Sequence, residues 1–323
     1  MPMVQEIQGI AVMDIDQIVD VVIPVYHPGK EFEELMTRLD RQTIPVHKVY
    51  IMHTEDGSEL SFEKVHDLDI VVETLPREEY DHGGTRDRAI QKSDADIVIC
   101  MTQDAVPEDD RLVERLIRPL MTKEAAVSYA RQMPRTECRL IERYVRGFNY
   151  PNASRLKSRK DLDTLGIKTY FCSNVCAAYD REIYQRLGGF EKRTIFNEDM
   201  IYAAKCIQEG FCIAYEAEAK VVHSHNYSRR EQFSRNFDIA VSQSEHPEIF
   251  QNVKSEKEGV KMVKKGIRFL IHNHTPWMVP SLIFDSAAKY LGYLFGKNYK
   301  RMPLRMVKFF SMNPGYWEGK RPD

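Results

Sequence analysis

At 323 residues, with 43% hydrophobic and 10% aromatic residues, the chain can bury a large core, which excludes a disordered protein. A net charge of −2 at pH 7 gives no global signal for nucleic acid, and no nucleic-acid partner is expected. The six cysteines are scattered, and Glu6, Asp14, Asp16 and Asp20 leave the first twenty residues without an apolar secretory core, so reduced thiols and a cytoplasmic location are expected.

In chain order, the apolar run "IVDVVIPVY" (18–26) has strand length and is bounded by Pro28-Gly29. "EFEELMTRLDRQ" (31–42) sets Phe32, Leu35, Met36 and Leu39 on one helical face. "KVYIMHT" (48–54) and "LDIVVETL" (68–75) are further strands, "GGTRDRAIQKS" begins a helix, and "ADIVICMT" (95–102) is a buried strand. Apolar strands returning between helices predict an α/β fold with a mostly parallel sheet flanked by helices, whose ligands sit at the carboxyl ends of the strands. "AAVSYARQ" and "TYFCSNVCAAY" read as strands around a polar, basic loop at 151–163. "DREIYQRLGGF" is a helix closed by Gly188-Gly189, and "NEDMIYAAKCIQEG" (197–210) is a helix with acids in its first turn and Gly210 at its end. A catalytic domain is expected over 1–245 and a helical C-terminal extension over 246–323. Between 261 and 310 that extension carries ten basic residues against one acid, Asp285, interleaved with aromatics.

The strand ends hold the polar residues that matter. Pro24, Val25 and Tyr26 can meet a base or ribose edge, and Glu55 or Asp56 can accept a hydrogen bond from one, although Asp56-Gly57 is equally a turn. His82, Gly83, Gly84, Thr85 and Arg86 open a helix and suggest an anion-receiving N-terminus. Asp104, in "MTQDA", is either a loop cap or a ligand for a divalent ion. Glu198 and Asp199 are either first-turn acids or, for one of them, a general base. His223 and His225 share a strand face and can reach a metal or a phosphate, or pack in a core.

Taken together, "TEDGS", "YDHGGTRDRA", "TQDA", "NED" and "HSHNYS", in this order, closely resemble the family 2 inverting glycosyltransferases of the GT-A fold, and "HGGTR" with "TQDA" resembles their bacterial rhamnosyltransferase branch. The resemblance covers about residues 18 to 240. It implies a nucleotide-sugar donor, dTDP-rhamnose, and a glycan or lipid-linked glycan acceptor. It places Pro24, Val25, Tyr26 and Glu55 beside the nucleotide, His82, Gly83, Gly84, Arg86 and Gln103 along the donor cleft, and Ala105 against the sugar. Asp104 with His223 or His225 would hold Mg²⁺ or Mn²⁺, and Asp199 would be the base, with Glu198 at the acceptor or fixing the helix start. The departure from the family pattern is Thr102, where many members carry the first of two aspartates.

Two other classes are weighed. A sugar-nucleotide nucleotidyltransferase needs a glycine-rich, Arg-containing loop after the first strand, which "PVYHPGK" lacks, and a non-catalytic scaffold has no need of both Asp104 and Asp199. A donor of the UDP-hexose type is the alternative within the family. The basic, aromatic C-terminus suits peripheral contact with an anionic membrane, packing as a helical cap, or a homo-oligomer interface.

Overall fold

The computed structural model describes residues 17–60, 62, 65–251 and 256–318. Most of the N-terminal segment read for a secretory signal lies outside the described residues. The chain runs through β1 (Val19–Val25), α1 (Lys30–Leu39), β2 (Lys48–Thr54), β3 (Asp69–Leu75), α2 (His82–Lys92), β4 (Ile97–Met101), β5 (Val106–Pro107), α3 (Leu112–Met121), β6 (Val127–Met133) and α4 (Leu140–Asn149). It continues through β7 (Arg155–Lys157), α5 (Leu162–Leu165), β8 (Cys176–Asp180), α6 (Arg181–Arg186), α7 (Glu198–Gln208) and β9 (Ile213–Val222). The helices α8 (Arg229–Glu245), α9 (Pro247–Phe250), α10 (Glu256–His272), α11 (Val279–Lys297) and α12 (Leu304–Phe310) follow.

The strands form one sheet in the order β3-β2-β1-β4-β8-β6-β9-β5, with β7 on β9. The expectation of a mostly parallel sheet holds for one half. β3, β2, β1 and β4 are parallel, whereas β8 is antiparallel to both β4 and β6, so the sheet as a whole is mixed. Strand period accounts for the two cores. Val21, Ile23, Val49 and Ile51 meet Leu35, Leu39 and Leu116 on one face, and Val22, Tyr50 and Met52 meet Ile90, Ile201 and Ile207 on the other. Burial on both faces is why β1 and β2 read as unbroken apolar runs.

Three local expectations are corrected. "TYFCSNVCAAY" is a strand only from Cys176, because Ser173, Asn174 and Val175 form a turn that delivers Asn174 to the site. The 151–163 stretch holds β7 and the start of α5. β9 ends at Val222, so His223 and His225 lie on the segment leaving the strand. That segment ends at a capping box, in which Ser228 N–H donates to Glu231 and Glu231 N–H to the Ser228 hydroxyl, starting α8.

The C-terminal helices share a core with the sheet-bearing part: Ile195, Phe237 and Val241 pack with Tyr299, Val307 and Trp317. α11 lies against α8 almost backbone to backbone. A β-carbon at Gly292 would stand 2.2 Å from the Phe233 carbonyl oxygen, and one at Gly296 would stand 2.3 Å from that of Phe237. Asp238 of α8 accepts the Met312 N–H at 2.8 Å and ties down the chain after α12.

Candidate active site

The carboxyl ends of β1, β2 and β4 open on a cavity of about 1470 Å³. Pro24, Val25 and Tyr26 line it from β1, Thr54 from β2, and Thr102, Gln103 and Asp104 from the turn after β4. α10 and α11 close its far side through Val260, Val263, Ile283 and Tyr293. Three polar atoms of its lining are buried without a hydrogen-bond partner among the described residues: Thr54 Oγ1, Thr102 Oγ1 and Arg86 Nε. Such orphaned groups are costly unless a ligand completes them.

One end of the cavity is built around Asp199. Asn197 precedes α7 in the left-handed conformation, φ 66°, and its side chain does not cap the helix; its amide donates to the Ile239 carbonyl at 3.1 Å. This turn sets Glu198 and Asp199 at the helix start. Asp199 accepts the Asn174 N–H at 3.0 Å and its neighbour's, Met200 N–H, at 2.7 Å. Burial, then the Glu198 charge, raise its carboxyl to about 7. Glu198 accepts the Asn174 amide at 3.1 Å and pairs with Arg86 at 3.4 Å. Burial pushes Glu198 up, but Arg86 and His82 outweigh it and hold the carboxyl below its usual range. Arg86 also donates to the His82 carbonyl at 2.8 Å, so its guanidinium braces α2 against α7.

At the other end, Asp104, His223 and His225 converge. His223 Nε2 lies 3.4 Å and His225 Nε2 3.2 Å from the Asp104 carboxylate, with 3.1 Å between the two nitrogens. His223 turns its other nitrogen to Gln132 Oε1 at 3.1 Å, which fixes the ring. Burial lowers the basicity of both imidazoles, leaving neutral rings with lone pairs to offer. One carboxylate oxygen and two imidazole nitrogens within 4.8 Å of one another are a donor set that fits a divalent ion of the Mn²⁺ type.

Other expected residues have different duties. The N–H of Gly84 is taken by Asp81 at 2.7 Å, so that donor of the expected anion-receiving turn is used to cap α2. Gly83 matters for packing, since a β-carbon there would stand 2.1 Å from the Glu191 carbonyl oxygen. Ala105 is fully buried in the core behind the site. Glu55 is exposed and does not line the cavity. Asp56 receives the His27 N–H and the Ser58 N–H and hydroxyl, so it is a turn residue. Gln103 lines the cavity, but its amide pairs with the Tyr26 backbone, accepting N–H at 2.7 Å and donating to C=O at 2.8 Å. His82 lines the cavity beside the Tyr80 hydroxyl. The sequence reading missed Asn174, Gln132 and Arg235. The last faces the cavity over the Phe196 ring at 4.6 Å. The polar Ser-Asn pair inside an apolar run was the available signal for Asn174.

Parallel strands opening on one cavity, with a carboxylate–imidazole cluster and a recessed carboxylate, are the equipment of a group-transfer enzyme. Residues 20–188 match the family model described as glycosyl transferase family 2. The chain is 37% identical over 302 residues to the O-antigen chain rhamnosyltransferase RfbN of Salmonella typhimurium, covering 93% of this chain and 96% of that one. It is 35% identical over 300 residues to the O-antigen chain rhamnosyltransferase WbaN of Salmonella anatum, covering 92% and 94%. The structure of a mannosyltransferase from Pyrobaculum calidifontis in complex with GDP-Man and Mn²⁺ shares the fold, with a TM-score of 0.52 at 15% identity over 93% of this chain and 84% of that one. The chain belongs to glycosyl transferase family 2: it is a glycosyltransferase with the GT-A fold.

Proposed function

We propose that this protein transfers L-rhamnose from dTDP-rhamnose, with inversion, to a hydroxyl of a growing lipid-linked cell-surface polysaccharide. The observation that carries the chemistry is that Asp199 and the Asp104–His223–His225 cluster line one cavity. The sugar and the polysaccharide acceptor are supported by the two relatives named above.

In this reading Asp199 takes the proton of the acceptor hydroxyl as its oxygen attacks the anomeric carbon from the face opposite the diphosphate. The Asn174 and Met200 N–H groups orient the Asp199 carboxylate, and the Glu198–Arg86 pair fixes the helix start that carries it. Tyr26, at the end of β1 with Arg77 5.5 Å over its ring, offers a stacking platform to the base. Asp104, His223 and His225 would hold Mg²⁺ or Mn²⁺, which when bound neutralises charge on the departing diphosphate. Among the described residues no helix is long and apolar enough to cross a membrane. A cytoplasmic enzyme in peripheral contact with an anionic membrane suits a lipid-linked acceptor.

The test is a screen of nucleotide-sugars with and without Mn²⁺, reading nucleotide release and the anomeric configuration of the product by NMR. The expected result is metal-dependent turnover of dTDP-rhamnose with inversion. Preferential turnover of a UDP-hexose would replace the donor, and retention of configuration would sink the single-displacement mechanism.

A further inference from the structure

α11 has two unlike faces. Leu282, Gly292 and Gly296 are buried, the glycines against α8. The opposite side carries Phe284, Leu291 and Leu294, which are 60%, 45% and 44% exposed. At about 100° per residue these fall on one arc with Tyr290 and Ile283. Just before the helix, Trp277 is 72% exposed, and Phe309 of α12 is 66% exposed. Single exposed apolar side chains are ordinary, but a stripe of this length along one helix marks a contact surface.

We propose that this stripe, with Trp277 and Phe309, rests in the interfacial layer of an anionic bilayer, and that the acceptor's lipid stays in the bilayer while its glycan enters the cavity beside Ile283 and Tyr290. The second half rests on the lipid-linked acceptor proposed above; the first does not. Three observations carry it. Residues 261–310 hold ten basic side chains and one acid, Asp285; Arg229 engages that acid at 2.9 Å and Glu258 engages Lys261 at 3.3 Å, so α10 to α12 carry a net positive charge. A second copy meeting the same face about a twofold axis would bring two such cationic regions together, which an anionic lipid surface does not. The stripe is also continuous with the active-site cavity, because Ile283 and Tyr290 belong to both. Lys289, one residue before Tyr290, lines the same cavity, where Glu142 and Asp285 act on its ammonium against the effect of burial, and a phosphate between lipid and glycan would meet it there.

The chain reports on itself, because of its two tryptophans Trp277 is exposed and Trp317 is 2% exposed. The full-length protein, without donor, is mixed with vesicles of phosphatidylglycerol and phosphatidylethanolamine. The expected result is a blue shift of emission and quenching by brominated acyl chains, both lost in Trp277→Phe. Vesicle binding should weaken in phosphatidylcholine alone or in raised salt. The triple variant Phe284→Glu, Leu291→Glu, Leu294→Glu should lose roughly tenfold or more in vesicle binding, while transfer to a water-soluble acceptor is unchanged. An unshifted spectrum in the wild-type protein overturns the proposal. So does a Trp277 shift that appears without vesicles and tracks a doubling of mass in light scattering, since a second copy would then cover the stripe. Because binding is read without any sugar, its outcome is independent of which donor the enzyme takes.

Discussion

Asp104 and Asp199 are the same side chain in one cavity, and their surroundings give them opposite tasks. Asp104 stands at the end of the parallel block with two imidazoles on it and Arg135 at 3.7 Å, an environment that favours the ionised carboxylate. Asp199 sits beside another carboxylate in a recess, which favours the proton and raises its carboxyl to about 7. On the proposed reading one aspartate would hold a cation and the other would take up a proton. The lesson is that a carboxylate's role is legible from its neighbours rather than from its own motif.

The largest expected effect comes from removing the proposed proton acceptor. Asp199→Asn should lower kcat by about 10²–10⁴-fold with donor affinity unchanged by calorimetry. It should also raise the melting temperature near neutral pH. The folded-state carboxyl lies above its unfolded value, so the folded protein holds a proton the unfolded chain has lost, and stability falls as pH rises from about 4 to about 7. Full activity with a bettered melting temperature would remove Asp199 from the chemistry while leaving the electrostatics intact.

Next in size, Asp104→Ala should weaken Mn²⁺ binding by roughly 10–100-fold and raise the donor KM only when metal is present. Wild-type turnover that survives exhaustive chelation would show that the cluster is not a metal site. The smallest effect sharpens the comparison rather than breaking it. The acid limb of kcat/KM should fall about tenfold per pH unit below about 7, and Glu198→Gln should move that limb to lower pH. The sign follows from removing the negative neighbour and leaving Arg86 unpaired, since both changes favour ionised Asp199. A limb that stays in place would mean another group controls it.

What could be read from the sequence followed period and chain order. The four parallel strands, α1 and α7 announce themselves because apolar spacing directly dictates which face is buried. The antiparallel β8 did not, because an apolar run has the same composition in either direction. Asp104, His223 and His225 were placed together, whereas Gly83 and Gly84 were assigned to the ligand when their absent side chains are needed by Glu191 and Asp81. Glycine states that something comes close, not what. Arg86 was expected at the donor and is engaged with Glu198, a contact of 112 residues' separation that no local pattern encodes. Asn174 touches both acids of α7, and there a local signal existed, the polar Ser173-Asn174 pair that interrupts an apolar run.

The glycines of α11 set how closely the helices meet. With Gly292 and Gly296 seated on α8, a single methyl at either position would drive the two helices apart by roughly an ångström. The close approach extends to α10, where a β-carbon at Gly266 would stand 2.7 Å from Leu282 of α11. The cavity wall that carries Arg235 and Lys289 is thus spaced by missing side chains, so a glycine-to-alanine change remote from any ligand would alter the width of the cavity.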